Sequence, residues 1–294
     1  MKYNILLGDN TTILPTLAEN SIDAIITDPP YGMDIAGVGW DKDVPPKEMW
    51  REALRVLKPG GYALSFCSPE LYHRMATKME DGGFQIRDQI IWMVTTKMAK
   101  ANRLKPAYEP IAVAQKPITE VTQKANTKRW GTGLIDIETT RVPWEGPPPT
   151  YPVGGHSRRE FGGDVSRASE AGVPLEKKDA NPNGRYPTNI IGHIEDYQKY
   201  FYAPRVTRKE RGEYNNHPTP KPINLMRYLI RTFSPVNSTV LDPFNGSGST
   251  GIAAIQEGRK YIGIEMESAY IDITHRRITD HCDQSSYDNI FEVR

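Results

Sequence analysis

The chain has 294 residues, 37 Lys plus Arg against 36 Asp plus Glu, and a formal net charge of +1. That length predicts one large or two modest domains, and that charge excludes a protein that holds nucleic acid by bulk attraction. Cys67 and Cys282 alone exclude a disulfide framework, and no stretch nears the roughly 18 apolar residues that span a bilayer, so a cytoplasmic protein without membrane contact is expected.

Residues 1 to about 118 alternate strand and helix signals. Tyr3–Leu7 is a short apolar strand followed by Gly8-Asp9-Asn10, and Thr11 or Thr12 is placed to cap a short helix through Leu17. Ile22–Thr27 is a near-continuous apolar run, as expected of a strand buried on both faces. It stops at Pro29-Pro30, which have no amide to give a ladder. Pro46–Leu57 reads as a helix, ended by Lys58-Pro59-Gly60-Gly61; Tyr62–Cys67 is a strand and Glu70–Glu80 a helix. Gln89–Val94 and Pro110–Gln115 read as a further, antiparallel pair of strands.

The stretch from about 119 to 212 lacks such periodicity. Fifteen of the 24 prolines lie between Lys97 and Pro222, Pro147-Pro148-Pro149 among them, and the same stretch holds Gly154-Gly155 and Gly162-Gly163. Alternation resumes from 213: a helix over Pro222–Phe233, a strand at Thr239–Asp242, a turn at Gly246–Thr250 opening a helix, a strand to Glu265 and a last helix through Ile278. The flanks, 1–118 and 213–294, suffice for one α/β domain with a mostly parallel sheet, and 119–212 reads as an insert.

Two segments carry chemistry. Asp28-Pro29-Pro30-Tyr31 closes a buried strand, where α/β sheets bind ligands. A carboxylate acceptor, a proline carbonyl and a flat ring suit an amino group on a planar heterocycle. In Asp242-Pro243-Phe244-Asn245-Gly246-Ser247-Gly248-Ser249-Thr250, glycines between strand and helix let a ligand approach the backbone. Glu265, at the next strand end, suits the two hydroxyls of a ribose. If both strands share a sheet, a nucleoside-bearing cofactor and an amino-bearing substrate meet in one crevice.

With GDNTTIL, SIDAIIT, LKPGG, HPTPKP and IGIE around these segments, the chain resembles the beta class of S-adenosylmethionine-dependent DNA amino-methyltransferases. In that class the catalytic DPPY half precedes the cofactor-binding FxGxG half. Asn183–Asn189 resembles phage and prophage members, so a bacterial or phage-infected cytoplasm is implied. The resemblance implies a Rossmann-like class I methyltransferase fold, α/β with helices on both faces, a circularly permuted motif order and a target-recognition insert at 119–212. It implies that Asp28, Pro29, Pro30 and Tyr31 are catalytic. It implies that Asp9, Asp242, Phe244, Gly246, Ser247, Gly248, Thr250 and Glu265 serve S-adenosylmethionine. His217, Thr219 and Lys221 match the motif beside the cofactor's methionine end, where Lys221 either pairs with the carboxylate or is a solvated lysine.

The expected reaction is direct in-line methylation of adenine N6 in double-stranded DNA after base flipping. Cytosine N4, RNA or another amino acceptor are the alternatives; DPPY tends to adenine in this family. With an unperturbed pKa near ~3.9, Asp28 is expected to act first as an acceptor. Lys97, Lys100, Arg103, Lys105, Lys116, Lys124, Lys128 and Arg129, against Glu109 and Glu120, are expected to track phosphates, as are Arg205, Arg208, Lys209 and Arg211. His156, Arg158, Arg159 and Phe161 are candidates for base reading, and Gly37–Trp40 for a loop over the base. No metal is required, and a homodimer is a family expectation only.

Overall fold

The computed structural model describes residues 3–32, 43–94, 106–152, 177–192 and 206–282. In chain order its elements are β1 (Tyr3–Leu7), α1 (Asn10–Ile13), β2 (Ile22–Thr27), α2 (Lys47–Val56), β3 (Leu57–Phe66), α3 (Tyr72–Asp81), β4 (Gln85–Met93), β5 (Tyr108–Gln115) and α4 (Gln123–Trp130). Then come β6 (Thr150–Pro152), β7 (Lys177–Asp179), β8 (Ile190–Ile191), α5 (Arg208–Arg211), α6 (Ile223–Phe233), β9 (Thr239–Asp242), α7 (Ser249–Gln256), β10 (Lys260–Glu265) and α8 (Ser268–Cys282).

Eight strands form one sheet in the order β1-β10-β9-β2-β3-β5-β4-β8, while β6 and β7 pair separately. The strands from β1 to β3 are mutually parallel, and β5 runs antiparallel to both β3 and β4. The sheet is mostly parallel and Rossmann-like, as expected, and is built across both chain flanks.

Every residue of β2 is buried. Its side chains alternate between two cores, as the period of a strand requires. Ile26, with Leu64, Phe66 and Val113, faces α6 and α7 through Met226, Leu229, Ile252 and Ala253. Ile25, with Ala63, Ala112 and Leu241, faces α2 and α3 through Met49, Trp50, Met75 and Met79. The small alanines on that face admit the bulky Trp50, which is fully buried. Burying each such side chain contributes about 1.5–3 kcal/mol. Asp23 breaks the apolar run of β2 for a reason: Oδ1 pairs with Lys58 at 2.6 Å and Oδ2 accepts from the Thr239 amide at 2.7 Å. It bolts β2 to β3 and β9 at their amino ends.

Several boundaries differ from the sequence reading. Asp9, rather than Thr11 or Thr12, caps α1 by accepting from the Thr11 amide. Lys58-Pro59-Gly60-Gly61 follows α2 as expected but already lies within β3, which starts at Leu57 rather than Tyr62, because Ile22 pairs with Leu57 and Ala24 with Tyr62. The extra β3 residues bulge out and are held from outside: Pro59 O accepts from Asn126 Nδ2 at 2.8 Å and Thr132 Oγ1 at 2.6 Å. The stretch read as aperiodic also holds α4, capped by Thr122, and contributes β8 to the sheet edge beside β4.

Candidate active site

Adjacent strands β9 and β2 feed crossovers in opposite directions. The chain leaves β9 through α7 to β10 on one side, and β2 through α2 to β3 on the other. Such a switch point opens a crevice past the carboxyl ends of the strands. Asp28-Pro29-Pro30-Tyr31 and the 243–248 turn both stand there. A groove between them is lined by Asp28, His217, Lys221, Phe244 and Gly246.

Both oxygens of Asp28 are engaged. Tyr31 Oη donates to Oδ1 at 2.5 Å, and Lys221 Nζ donates to Oδ2. Lys221 Nζ also stands 3.8 Å from Glu109 Oε2 on β5, over the rings of Phe66 and Tyr31. Burial raises the Asp28 carboxyl above its usual pKa, against the pull of Lys221. Burial disfavours the Lys221 ammonium, but Asp28 and Glu109 outweigh it and raise its pKa. The unperturbed aspartate and the solvated lysine of the sequence reading are therefore both replaced, by a buried ion pair.

Asp242 locks the two motifs together. Oδ1 accepts from Thr27 Oγ1 at 2.6 Å and from the Phe244 amide at 3.0 Å; Oδ2 accepts from Thr250 Oγ1 at 2.7 Å. Burial pushes its carboxyl up to about 6. Ser247 is tied from below by Arg277, whose Nη1 donates to Ser247 O at 2.6 Å and Oγ at 3.0 Å. Asp242, Ser247 and Thr250 thus make internal contacts, while Phe244 and Gly246 are only half-buried. Gly248 starts α7 at φ +80°. At Gly246 (φ +52°) an added Cβ would come 2.9 Å from His217 Nε2.

Glu265 closes the far side. Oε2 accepts from the Gly246 amide at 2.7 Å and Oε1 from the Glu267 amide at 2.9 Å. Burial raises its pKa. Gly8 N donates to Glu265 O at 3.0 Å, which sets Asp9 beside it. His217 stacks edge-on against Tyr270, and burial lowers its pKa to about 4, so it is neutral at pH 7.

A DNA methylase family model matches residues 22–276. This chain belongs to the N6/N4 DNA methylase family. DNA adenine methyltransferase YhdJ of Escherichia coli (strain K12) is 29% identical over 289 residues, covering 93% of this chain and 82% of that protein. The PvuII DNA methyltransferase (cytosine-N4-specific) shares the fold at TM-score 0.59 and 18% identity, covering 94% of this chain and 86% of that one. The M1.HpyAVI–SAM complex does so at TM-score 0.53 and 21% identity, over 94% and 99% of the two chains.

All thirteen residues expected to serve this methylase stand at the carboxyl ends of the parallel strands or in the turns and helix starts beside them. The expected phosphate-tracking cluster does not stay together. Lys116 turns inward, donating to Leu57 O at 2.7 Å and Asn20 Oδ1 at 2.9 Å. Lys124, Lys128 and Arg129 lie on α4, which packs under Pro59 at the amino ends of the parallel strands, opposite Asp28. The cause is the direction of β5, which carries the chain from the Asp28 end at Tyr108 to the far end at Gln115. Lys97–Lys105 lie outside the described residues. Gly37–Trp40, His156, Arg158, Arg159, Phe161, Arg205 and the side chains of Arg208 and Lys209 also lie outside them. Arg211 donates to His217 O at 3.1 Å.

Sequence reasoning missed Glu109, counting it only as a negative offset within a basic run. Its signal was a lone acid opening the otherwise apolar strand Tyr108–Gln115. Arg277 was missed too, an arginine inside a helix that reads as surface, yet fully buried. Among the described residues no group of three or more His, Cys, Asp or Glu could hold a metal ion, and no helix is long and apolar enough to cross a membrane.

Proposed function

We propose that this methylase transfers a methyl group from S-adenosylmethionine to the exocyclic N6 amino group of adenine in double-stranded DNA. The observation that carries the reading is the Asp28 carboxylate, set at the switch point beside the glycine turn that follows β9. The adenine choice is supported by Asp28 at the head of the motif and by a relative named for adenine.

The residues present fit the cofactor. The Glu265 oxygens accept backbone amides, Gly246 on Oε2 and Glu267 on Oε1, and its carboxylate retains acceptor capacity for a ribose hydroxyl. Gly246 leaves open the space beside His217 that a Cβ would fill. Asp9, Phe244, Gly246, Gly248 and Glu265 would line its nucleoside, while Asp242, Ser247 and Thr250 hold the turn in shape. S-adenosylmethionine supplies a methyl group already activated on a cationic sulfur.

The protein's part is placement and electrostatics. An aromatic amine is a weak nucleophile because its lone pair is delocalised into the ring. Asp28 and the Pro29 carbonyl accept its two hydrogens, pyramidalise the nitrogen and aim the lone pair outward. Asp28 then stabilises the positive charge that appears on nitrogen. Burial makes that attraction stronger than it would be in water. The base is flipped out of the duplex at a cost of a few kcal/mol, offset by about 1–3 kcal/mol from stacking on Tyr31.

Of the 119–212 segment, residues 119–140 pack beneath the sheet. Target recognition therefore falls to the remainder of that segment and to the stretch between β4 and β5. The test is incubation with methyl-labelled S-adenosylmethionine and unmethylated DNA, digestion to nucleosides and identification of the product. N6-methyl-deoxyadenosine is expected. Label on cytosine would reassign the substrate to N4, and no label on DNA would overturn the reading.

A further inference from the structure

The proposed reaction asks Asp28 to accept from an amino group, yet both of its oxygens already have donors, Tyr31 and Lys221. Each oxygen keeps a second lone pair, so the amine can bind, but it then shares the carboxylate with both donors. Methylation puts a positive charge on the amine nitrogen, and a second cation on the same carboxylate opposes that charge. Lys221 is thus the donor whose departure favours the reaction. Its side chain is only 8% exposed, and a buried ammonium without a partner carries a large desolvation penalty, so it needs a second acceptor. A second acceptor is already in place. Glu109 Oε2 lies 3.8 Å from Nζ on a side chain only 12% exposed.

We propose that Glu109 is a positioning residue that takes Lys221 from Asp28 when the target amine enters. It rests on the reading of this site as a methyl-transfer centre. The step forms the nitrogen–carbon bond as the carbon–sulfur bond breaks. Positive charge passes from sulfur to nitrogen, sulfur leaves as a neutral thioether, and the nitrogen then loses a proton to Asp28 or water. Before the step, Asp28 and Glu109 both face the Lys221 ammonium. At the cationic stage two carboxylates face two cations, Asp28 with the amine and Glu109 with Lys221. Separating the two cations onto two carboxylates favours the charged stage over the resting one, which is what acceleration requires.

The test is a cycle of wild type, Glu109→Gln, Lys221→Met and the double variant, assayed at saturating cofactor and DNA. Glu109→Gln leaves Lys221 on Asp28 and is expected to lower kcat about 10- to 100-fold with cofactor Kd unchanged. In the Lys221→Met background the same substitution should cost less than about threefold, because the ammonium that Glu109 is proposed to take is gone. Glu109→Asp, which keeps the charge, should retain more activity than Glu109→Gln. A Glu109→Gln kcat within about threefold of wild type, or an equal loss in both backgrounds, overturns the inference. If Glu109→Gln does not fold, the pair Lys221→Met and double variant decides alone, and a loss above about tenfold between them overturns it. A wild type that methylates no DNA overturns the reading of the site and this inference together. An active wild type with an insensitive Glu109→Gln overturns the inference only.

Discussion

Asp28 sits where two opposing demands meet. Burial raises its carboxyl, and a buried carboxylate is a strong acceptor only while its charge is balanced. Replacing it with alanine removes the acceptor for the substrate amine without touching Glu265 or the glycine turn. Asp28→Ala is therefore expected to lower methyl transfer by about 100-fold or more while cofactor affinity stays within a few-fold. Single-turnover assays beside calorimetric titration with S-adenosylmethionine check both halves, and comparable turnover would sink the assigned role. Asp28 was legible because its neighbours in sequence carry the signal. Its partner was not, because Lys221 lies 193 residues away and nothing local marks the pairing.

The elements show the same division. The start of α7 was legible from its glycines, and the structure explains one of them sterically. Gly248 adopts φ +80°, and a Cβ there would lie 2.5 Å from Thr274 Cγ2. Gly248→Ala is expected to destabilise the fold by about 1–3 kcal/mol, read as a lowered Tm. The start of α6 was legible only in part. Pro222 offers no capping side chain, so Glu210 of α5 supplies the acceptor for the Ile223 amide. That contact joins elements separated by a turn with no periodic signal.

Glu210 also sets a pH dependence. Burial lifts its carboxyl from an ordinary 4.5 to about 7. A raised folded-state pKa means the unfolded chain gives up its proton first. The stabilisation by protonated Glu210 is thus complete below about 4.5 and is lost as pH rises to about 7. Wild type measured against Glu210→Gln should therefore be relatively more stable at pH 5 than at pH 8. His217, lowered to about 4 by burial, acts in the opposite sense, losing its contribution as pH falls from 6.5 towards 4. The difference between the two proteins in urea unfolding isolates the Glu210 contribution, and a pH-independent difference would refute it.

Over the whole molecule, strand direction decides which charges face the reaction. The run from Lys97 to Arg129 looks like one basic cluster, but β5 carries its second half to the opposite end of the sheet. Lys124→Glu with Lys128→Glu is expected to leave DNA affinity within about twofold and the salt slope unchanged. Lys100→Glu with Arg103→Glu should weaken DNA binding and reduce that slope by about two. Fluorescence anisotropy with labelled duplex across a salt series separates the cases, and a large effect from the α4 pair would return the DNA path to that end.

What the sequence by itself determined was the strands and helices of the two flanks, their mostly parallel sheet and the permuted order of the two motifs. These are written in local periodicity, in proline and glycine punctuation, and in side chains adjacent along the chain. Only the tertiary structure decided that Lys221 lies between Asp28 and Glu109, that Arg277 braces the glycine turn from within the core, and that half of an apparent basic cluster faces away from the site. Each depends on groups brought together from distant parts of the chain. Their burial, and so the strength of their charges, exists only once the sheet has closed over them.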